Sequence, residues 1–145
     1  MSNSGTETLI DRPNSRRKAV RCAHGNLFVT VKRHGFMNLF QKPHIVNWMD
    51  FNQYGMAFVS DHRYKSGSEL LIELSIDDLN KKSLSEVVGI VTNIIKDADN
   101  YRCGVKFNFD ANEYMKSDSV KQSLKNIELW LRDICSRLQE KRYMK

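Results

Sequence analysis

Proline and cysteine are scarce in this chain of 145 residues, with two prolines and three cysteines. Cys22, Cys103 and Cys135 are an odd, widely scattered set without a C-x-x-C pair, so a disulfide framework, a zinc ribbon and a dithiol redox motif are all excluded. Long apolar runs are missing too. The longest aliphatic stretch lies around Val87 to Val91, far short of the roughly 20 residues that a membrane-spanning helix needs. The first residues, MSNSGTETLIDRPNSRRK, lack the apolar core of a secretory signal. Together these absences point to a reducing, cytoplasmic setting with no membrane insertion. His24, His34, His44 and His62 are scattered along the sequence, none with a Cys or His partner at zinc-ligand spacing. No glycine loop of the P-loop or dinucleotide-binding kind is present. Asp77 and Asp78 fall on opposite faces if their strand persists that far, which argues against a carboxylate dyad. With no convergent acid, base, nucleophile or metal-ligand set, the expectation is a protein that is not an enzyme, has no catalytic residues and holds no metal or cofactor.

What is present suffices for one domain with short extensions. Hydrophobic residues make up 41% and charged residues 28%, enough apolar surface to offset the ordering entropy of a folded core. The net charge of +6 is uneven: residues 1–35 carry +5, residues 36–111 carry −2 and residues 112–145 carry +3. Arg16, Arg17, Lys18 and Arg21 concentrate much of the first excess. A basic arm of this kind is either a solvated tail or a partner for phosphate.

Residues 1–13 are rich in Ser, Asn and Thr and read as a flexible leader. From Asn26 the period is two: Leu27, Val29 and Val31 alternate with Phe28, Thr30 and Lys32, as a half-buried strand requires. A second strand is expected from His44 to Asn52, broken by Gly55, with MAFVSD as a third. After the polar loop HRYKSGSE, Leu70, Ile72, Leu74 and Ile76 mark one face of the clearest amphipathic strand. Val87 to Ile95 and YRCGVKFNF, separated by DADN, read as a hairpin whose second strand puts Cys103, Val105, Phe107 and Phe109 on one face. Six short strands without helices long enough for parallel crossovers predict a mainly β fold, a six-stranded antiparallel β-barrel over residues 14–111.

The period changes in residues 112–145. Val120, Leu124, Ile127, Leu131, Ile134 and Leu138 are spaced 4, 3, 4, 3 and 4, a heptad seam on one long amphipathic helix from Ser119 to Tyr143, with Asp118 or Ser119 as N-cap. Such a helix exceeds the side of a small barrel, so part of it is expected to project. The seam caps the barrel core or pairs with a second copy of the chain, and the spacing favours a homo-oligomer through this helix. Cys135 reads as helix packing.

Two clusters carry the chemistry. RRKAVR at Arg16 to Arg21 precedes the first strand, and DFNQYG at Asp50 to Gly55 ends the second. Guanidinium groups fork onto phosphate oxygens or the O6 and N7 acceptors of guanine and stack on its face, which a lysine does less well. An ionised Asp only accepts, and the Watson-Crick edge of guanine offers two adjacent donors, so Asp50 would choose guanine over adenine. In a strand of period two Asp50 and Asn52 share a face, and Gly55 permits a close backbone turn. Trp48 has the same parity and is placed to stack on a base, although an aromatic there more often joins the core.

The order and spacing of these clusters resemble the PilZ domain family, marked by R-x-x-x-R and, some thirty residues later, D/N-x-S-x-x-G. Arg17 and Arg21 match the first motif, Asp50 and Gly55 the second, and Asn52 stands where the family has Ser. The likeness runs from about Asn14 to Asp110. It implies a β-barrel and, as in many members, a non-catalytic receptor for the bacterial second messenger cyclic di-GMP, with Arg17, Arg21, Asp50, Asn52 and Gly55 as ligand-binding residues. Arg16 extends the pair to three arginines, so its charge is expected to join the ligand-binding set and to favour a stacked ligand pair. Binding is then expected to order the arginine segment and reshape the surface for an unidentified effector protein in motility, attachment or exopolysaccharide output. The alternatives are a degenerate adaptor that binds protein but not cyclic di-GMP, and a barrel for single-stranded nucleic acid. The absence of aromatics at Thr30, Lys32, Glu73, Ser75, Lys106 and Asn108, the expected outward positions, weighs against nucleic acid.

Overall fold

The structure, a computed structural model, describes residues 27–35, 41–76 and 82–143, with side chains to residue 137. The leader at 1–13, Arg16, Arg17 and Arg21, Cys22, His24, Asp77 and Asp78 lie outside the described residues. Among the described residues six strands form a closed barrel: β1 (Leu27–Arg33), β2 (His44–Asn52), β3 (Gly55–Ser60), β4 (Glu69–Ile76), β5 (Ser83–Asp97) and β6 (Asn100–Phe107). A one-turn helix α1 (Glu113–Lys116) and the long helix α2 (Asp118–Tyr143) follow. Around the barrel the order is β1-β2-β3-β6-β5-β4, every pair antiparallel, and β4 closes on β1. No helix among the described residues is long and apolar enough to cross a membrane.

Alternation sets the inside of the barrel. Leu27, Val29 and Val31 of β1 are buried beside the buried residues of β4, with Val29 opposite Leu74 and Val31 opposite Ile72. Cys103, Val105 and Phe107 of β6 are buried in the same core, and Phe51 packs on Phe107 with ring centroids 5.9 Å apart. Each large apolar side chain contributes about 1.5–3 kcal/mol on leaving water. β5 differs from the expected span, because it starts at Ser83 rather than Val87 and runs to Asp97. Its first four residues are exposed or half-buried, so no apolar pattern marks them.

The chain leaves the barrel through α1. Asn112 caps this helix by accepting the Met115 N–H at 2.8 Å, and the buried Met115 sulfur accepts the Val88 N–H at 3.4 Å. Ser117 then ends α1 and starts α2, where its hydroxyl oxygen accepts the Val120 N–H at 3.3 Å. The cap thus falls one residue before the expected Asp118, which instead places its charge in the first turn, where the helix dipole favours it.

Val120, Leu124, Ile127, Leu131 and Cys135 are buried in the same core as the barrel. The seam that suggested a coiled coil is therefore covered by the chain's own barrel over this stretch. A homo-oligomer built on those residues would have to strip α2 from its core, so the expectation of pairing through the seam is corrected to packing within one chain.

Candidate functional site

The second cluster takes its shape from an irregularity in β2. Trp48 pairs with Phe58 and Asp50 with Ala57, so Met49 is an extra residue and the register shifts between them. Such a bulge reverses the parity of whatever follows. Before the bulge Trp48 points into the core at 5% exposure, in step with buried Val46; after it Phe51 is fully buried, and Asp50 and Asn52 face outward. Trp48 thus joins the core, the commoner place for an aromatic there, and is not placed to stack on a base, whereas the shared face of Asp50 and Asn52 stands.

β2 and β3 join through a two-residue turn, Gln53–Tyr54. The Asn52 side-chain oxygen accepts the N–H of Tyr54 at 2.7 Å and of Gly55 at 3.0 Å, an Asx arrangement that fixes the turn. Gly55 is dictated by close approach: a Cβ there would collide with the Val105 carbonyl oxygen on β6. From the other side the Gln53 N–H donates to Glu128 Oε1 of α2 at 2.8 Å. The Glu128 carboxylate is wholly buried, and its Oε2 accepts from Arg132 Nε at 2.9 Å.

Strand register spreads the site across four strands. One outward row runs Asp50, Ala57, Gly104, Asn93 along β2, β3, β6 and β5. The row beside it holds Val59, Arg102 and Ile95, and Gly55 pairs with Lys106 on the other flank. Ala57 and Gly104 leave the centre low, and an open cleft of about 500 Å3 lies over them. Asn93 Oδ1 accepts the Gly104 N–H at 3.1 Å and Thr92 Oγ1 donates to the Gly104 carbonyl at 3.1 Å, bracing the cleft floor. The structure thus brings Asp50, Asn52 and Gly55 together and adds Asn93, Ile95, Arg102 and Lys106. Sequence reasoning missed this second group as site residues. The outward parity of Arg102 and Lys106 was readable from Cys103 and Val105, but the cross-strand register was not.

The barrel holds polar groups away from the cleft. Tyr64 is 1% exposed, and burial pushes its hydroxyl up to about 12 while Arg33, with Cζ 5.7 Å from the ring centroid, partly opposes the shift. Burial likewise raises the Cys103 thiol to about 11. The rings of His44 and His62, scattered in sequence, lie 4.0 Å apart at their centroids. Among the described residues no group of three or more His, Cys, Asp or Glu is placed to hold a metal ion.

A family model for the PilZ domain matches residues 15–122. The chain belongs to the PilZ domain family. Solved PilZ structures share the fold. The PilZ domain of YcgR from Escherichia coli with c-di-GMP aligns at a TM-score of 0.58 and 13% identity, covering 87% of this chain and 98% of that one. YcgR from the same organism in complex with c-di-GMP gives 0.61 and 15%, covering 87% of this chain and 50% of that one. The Bacillus subtilis inhibitor of motility MotI/DgrA gives 0.59 and 16%, covering 84% of this chain and 53% of that one. This PilZ chain therefore spans about half the length of MotI and of the longer YcgR chain. Among curated proteins no sequence matches significantly. At these identities the structural likeness establishes the fold alone.

Proposed function

We propose that this PilZ chain is a non-catalytic receptor for cyclic di-GMP. The observation that carries the reading is the outward placement of Asp50 and the Asn52–Gly55 turn beside an open cleft whose rim holds Arg102 and Lys106. Cyclic di-GMP is two guanines on a dianionic ring. Asp50 offers acceptors for a guanine edge, and the basic rim complements phosphate. Val29 faces Val46 and Val31 faces His44, so β1 begins at the end of the barrel where β2 carries Asp50. Arg21 precedes Leu27 by six residues, a span of roughly 20 Å at full extension, and Arg17 by ten, so both arginines have the reach to meet a ligand in the cleft. The YcgR structures named above hold c-di-GMP, which is consistent with the same ligand here.

In this reading the ligand draws the Arg16–Arg21 segment onto the barrel, and the altered surface regulates an effector protein in motility, attachment or exopolysaccharide output. The setting is cytoplasmic. If copies associate through α2, they use its outer side, where Leu129 is exposed.

Calorimetric titration with cyclic di-GMP tests the reading, with an Arg17→Ala, Arg21→Ala double variant and cyclic di-AMP as controls. Micromolar or tighter binding that the double variant abolishes and cyclic di-AMP does not reproduce is expected, together with slowed amide exchange in residues 14–25. No binding at high ligand concentration overturns it. One observation favours a second reading, a protein-binding adaptor without the ligand. The Asn52 oxygen is committed to its own turn, and only its amide N–H donors are left for contacts that the family's Ser would make.

A further inference from the structure

A carboxylate at zero exposure is costly to bury unless its charge is paired and its lone pairs are bonded. Glu128 sits on α2 between the core residues Ile127 and Leu131, a position where a plain apolar side chain would serve the packing. Instead it reaches the β2–β3 turn, 75 residues away in sequence, and takes the Gln53 N–H at 2.8 Å while its other oxygen is held by Arg132. The three successive backbone donors of that turn are thereby all assigned: Gln53 to Glu128, and Tyr54 and Gly55 to Asn52. The Tyr54 carbonyl in turn accepts the Phe107 N–H at 2.9 Å, so the turn is braced by β6 as well as by α2.

We propose that Glu128 is a positioning residue that couples the ligand-binding turn to α2, so that cyclic di-GMP at Asp50–Gly55 tightens the docking of the helix and the docked helix preorganises the turn. The inference rests on the receptor reading above. Linkage makes the effect reciprocal, because any free energy by which the ligand favours the braced turn must also appear as stabilisation of the Gln53–Glu128 contact. The long helix then becomes the element through which occupancy of the cleft is felt at the other end of the molecule. Its outer side, facing solvent, is the surface that changes in dynamics without a new contact being made.

The test uses the full chain and two readouts. Calorimetry with cyclic di-GMP compares the unaltered protein with Glu128→Ala, Glu128→Gln and, as a surface control, Glu113→Ala. Amide exchange follows Gln53 and residues 124–132 with and without ligand. Glu128→Ala is expected to weaken binding at least about fivefold, the lower end of ordinary coupling. Glu128→Gln keeps an acceptor for Gln53 and is expected to restore most of the affinity, a rescue that loss of stability alone would not produce. Ligand is expected to slow exchange at Gln53 and across 124–132 in the unaltered chain and in Glu128→Gln, but not in Glu128→Ala. Should Glu128→Ala fail to fold, exchange in the unaltered chain decides the matter. Binding that leaves Gln53 and α2 exchange unmoved overturns the coupling alone. Absence of binding by the unaltered chain overturns the receptor reading and the coupling with it.

Discussion

Asn52 and Gly55 are joined by a hydrogen bond that shapes the site, the Asn52 Oδ1 accepting the Gly55 N–H at 3.0 Å and, with the same oxygen, the Tyr54 N–H at 2.7 Å. The residue at the position where the sequence resemblance predicts Ser is thus the one that builds the turn. Asn52→Ala is expected to lower stability by about 1–2 kcal/mol in urea unfolding, as two donors lose their acceptor. Asn52→Ser should lose less, since a hydroxyl forms the same turn more weakly. Equal unfolding midpoints for Asn52→Ala and the unaltered chain would show that these bonds do not hold the turn.

Trp48, turned inward just before the bulge at Met49, is a reporter of the core. In a Trp130→Phe background, emission from Trp48 should be blue-shifted, poorly quenched by acrylamide and unaltered by cyclic di-GMP. Trp48→Ala should cost about 3–5 kcal/mol, as for other large core truncations. Quenching that depends on ligand would place a base against Trp48 and contradict the bulge.

Alkaline stability follows from two buried acids. The Cys103 thiol is raised from 9.0 to about 11 and the Tyr64 hydroxyl from 10.0 to about 12, in both cases first by burial. Between its unfolded and folded pKa values each group keeps its proton only in the folded state, so stability is full below about pH 9 and falls as pH rises toward 12. Thermal unfolding across that range should show the decline, and Tyr64→Phe should remove the part above pH 10. Tyr64 Oη has no hydrogen-bond partner among the described residues, so this variant should also match or exceed the unaltered chain near neutrality.

Ala98 opens the β5–β6 turn with φ at +56°, between the paired residues Asp97 and Asn100. That conformation suits glycine at the first position of a two-residue hairpin turn. Ala98→Gly should therefore stabilise the protein by about 0.5–1 kcal/mol, the left-handed penalty less the added chain entropy of glycine. An unchanged or lower thermal midpoint would contradict the turn geometry.

Period and punctuation made much of this architecture legible. β2 begins and ends where the sequence predicts, at His44 and Asn52, because alternation stops there and Gly55 follows. That Trp48 and Asp50 lie on opposite faces was not legible, since one unpaired residue leaves no mark in composition. The start of β5 was hidden by its polar exposed residues, among them Glu86, which adopts φ of +60°. The four-residue α1 is too short to show a helical period. Arg102, Asn93 and Ile95 joined the site only through register between strands, and the burial of Glu128 depends on a contact 75 residues distant. Asp50, Asn52 and Gly55 were readable because they are close neighbours in one strand and turn.

Ala57 and Gly104 give the cleft a floor made largely of peptide planes. A floor of that kind offers a flat ligand area but few handles, and it discriminates poorly between bases lying on it. In the receptor reading proposed above, selectivity would then come from the edges, and the barrel would be one jaw of a clamp whose hold depends on a second jaw from elsewhere in the chain. Damage to the two jaws should look different in kinetics: loss of the rigid jaw slows capture, while loss of the closing one speeds escape.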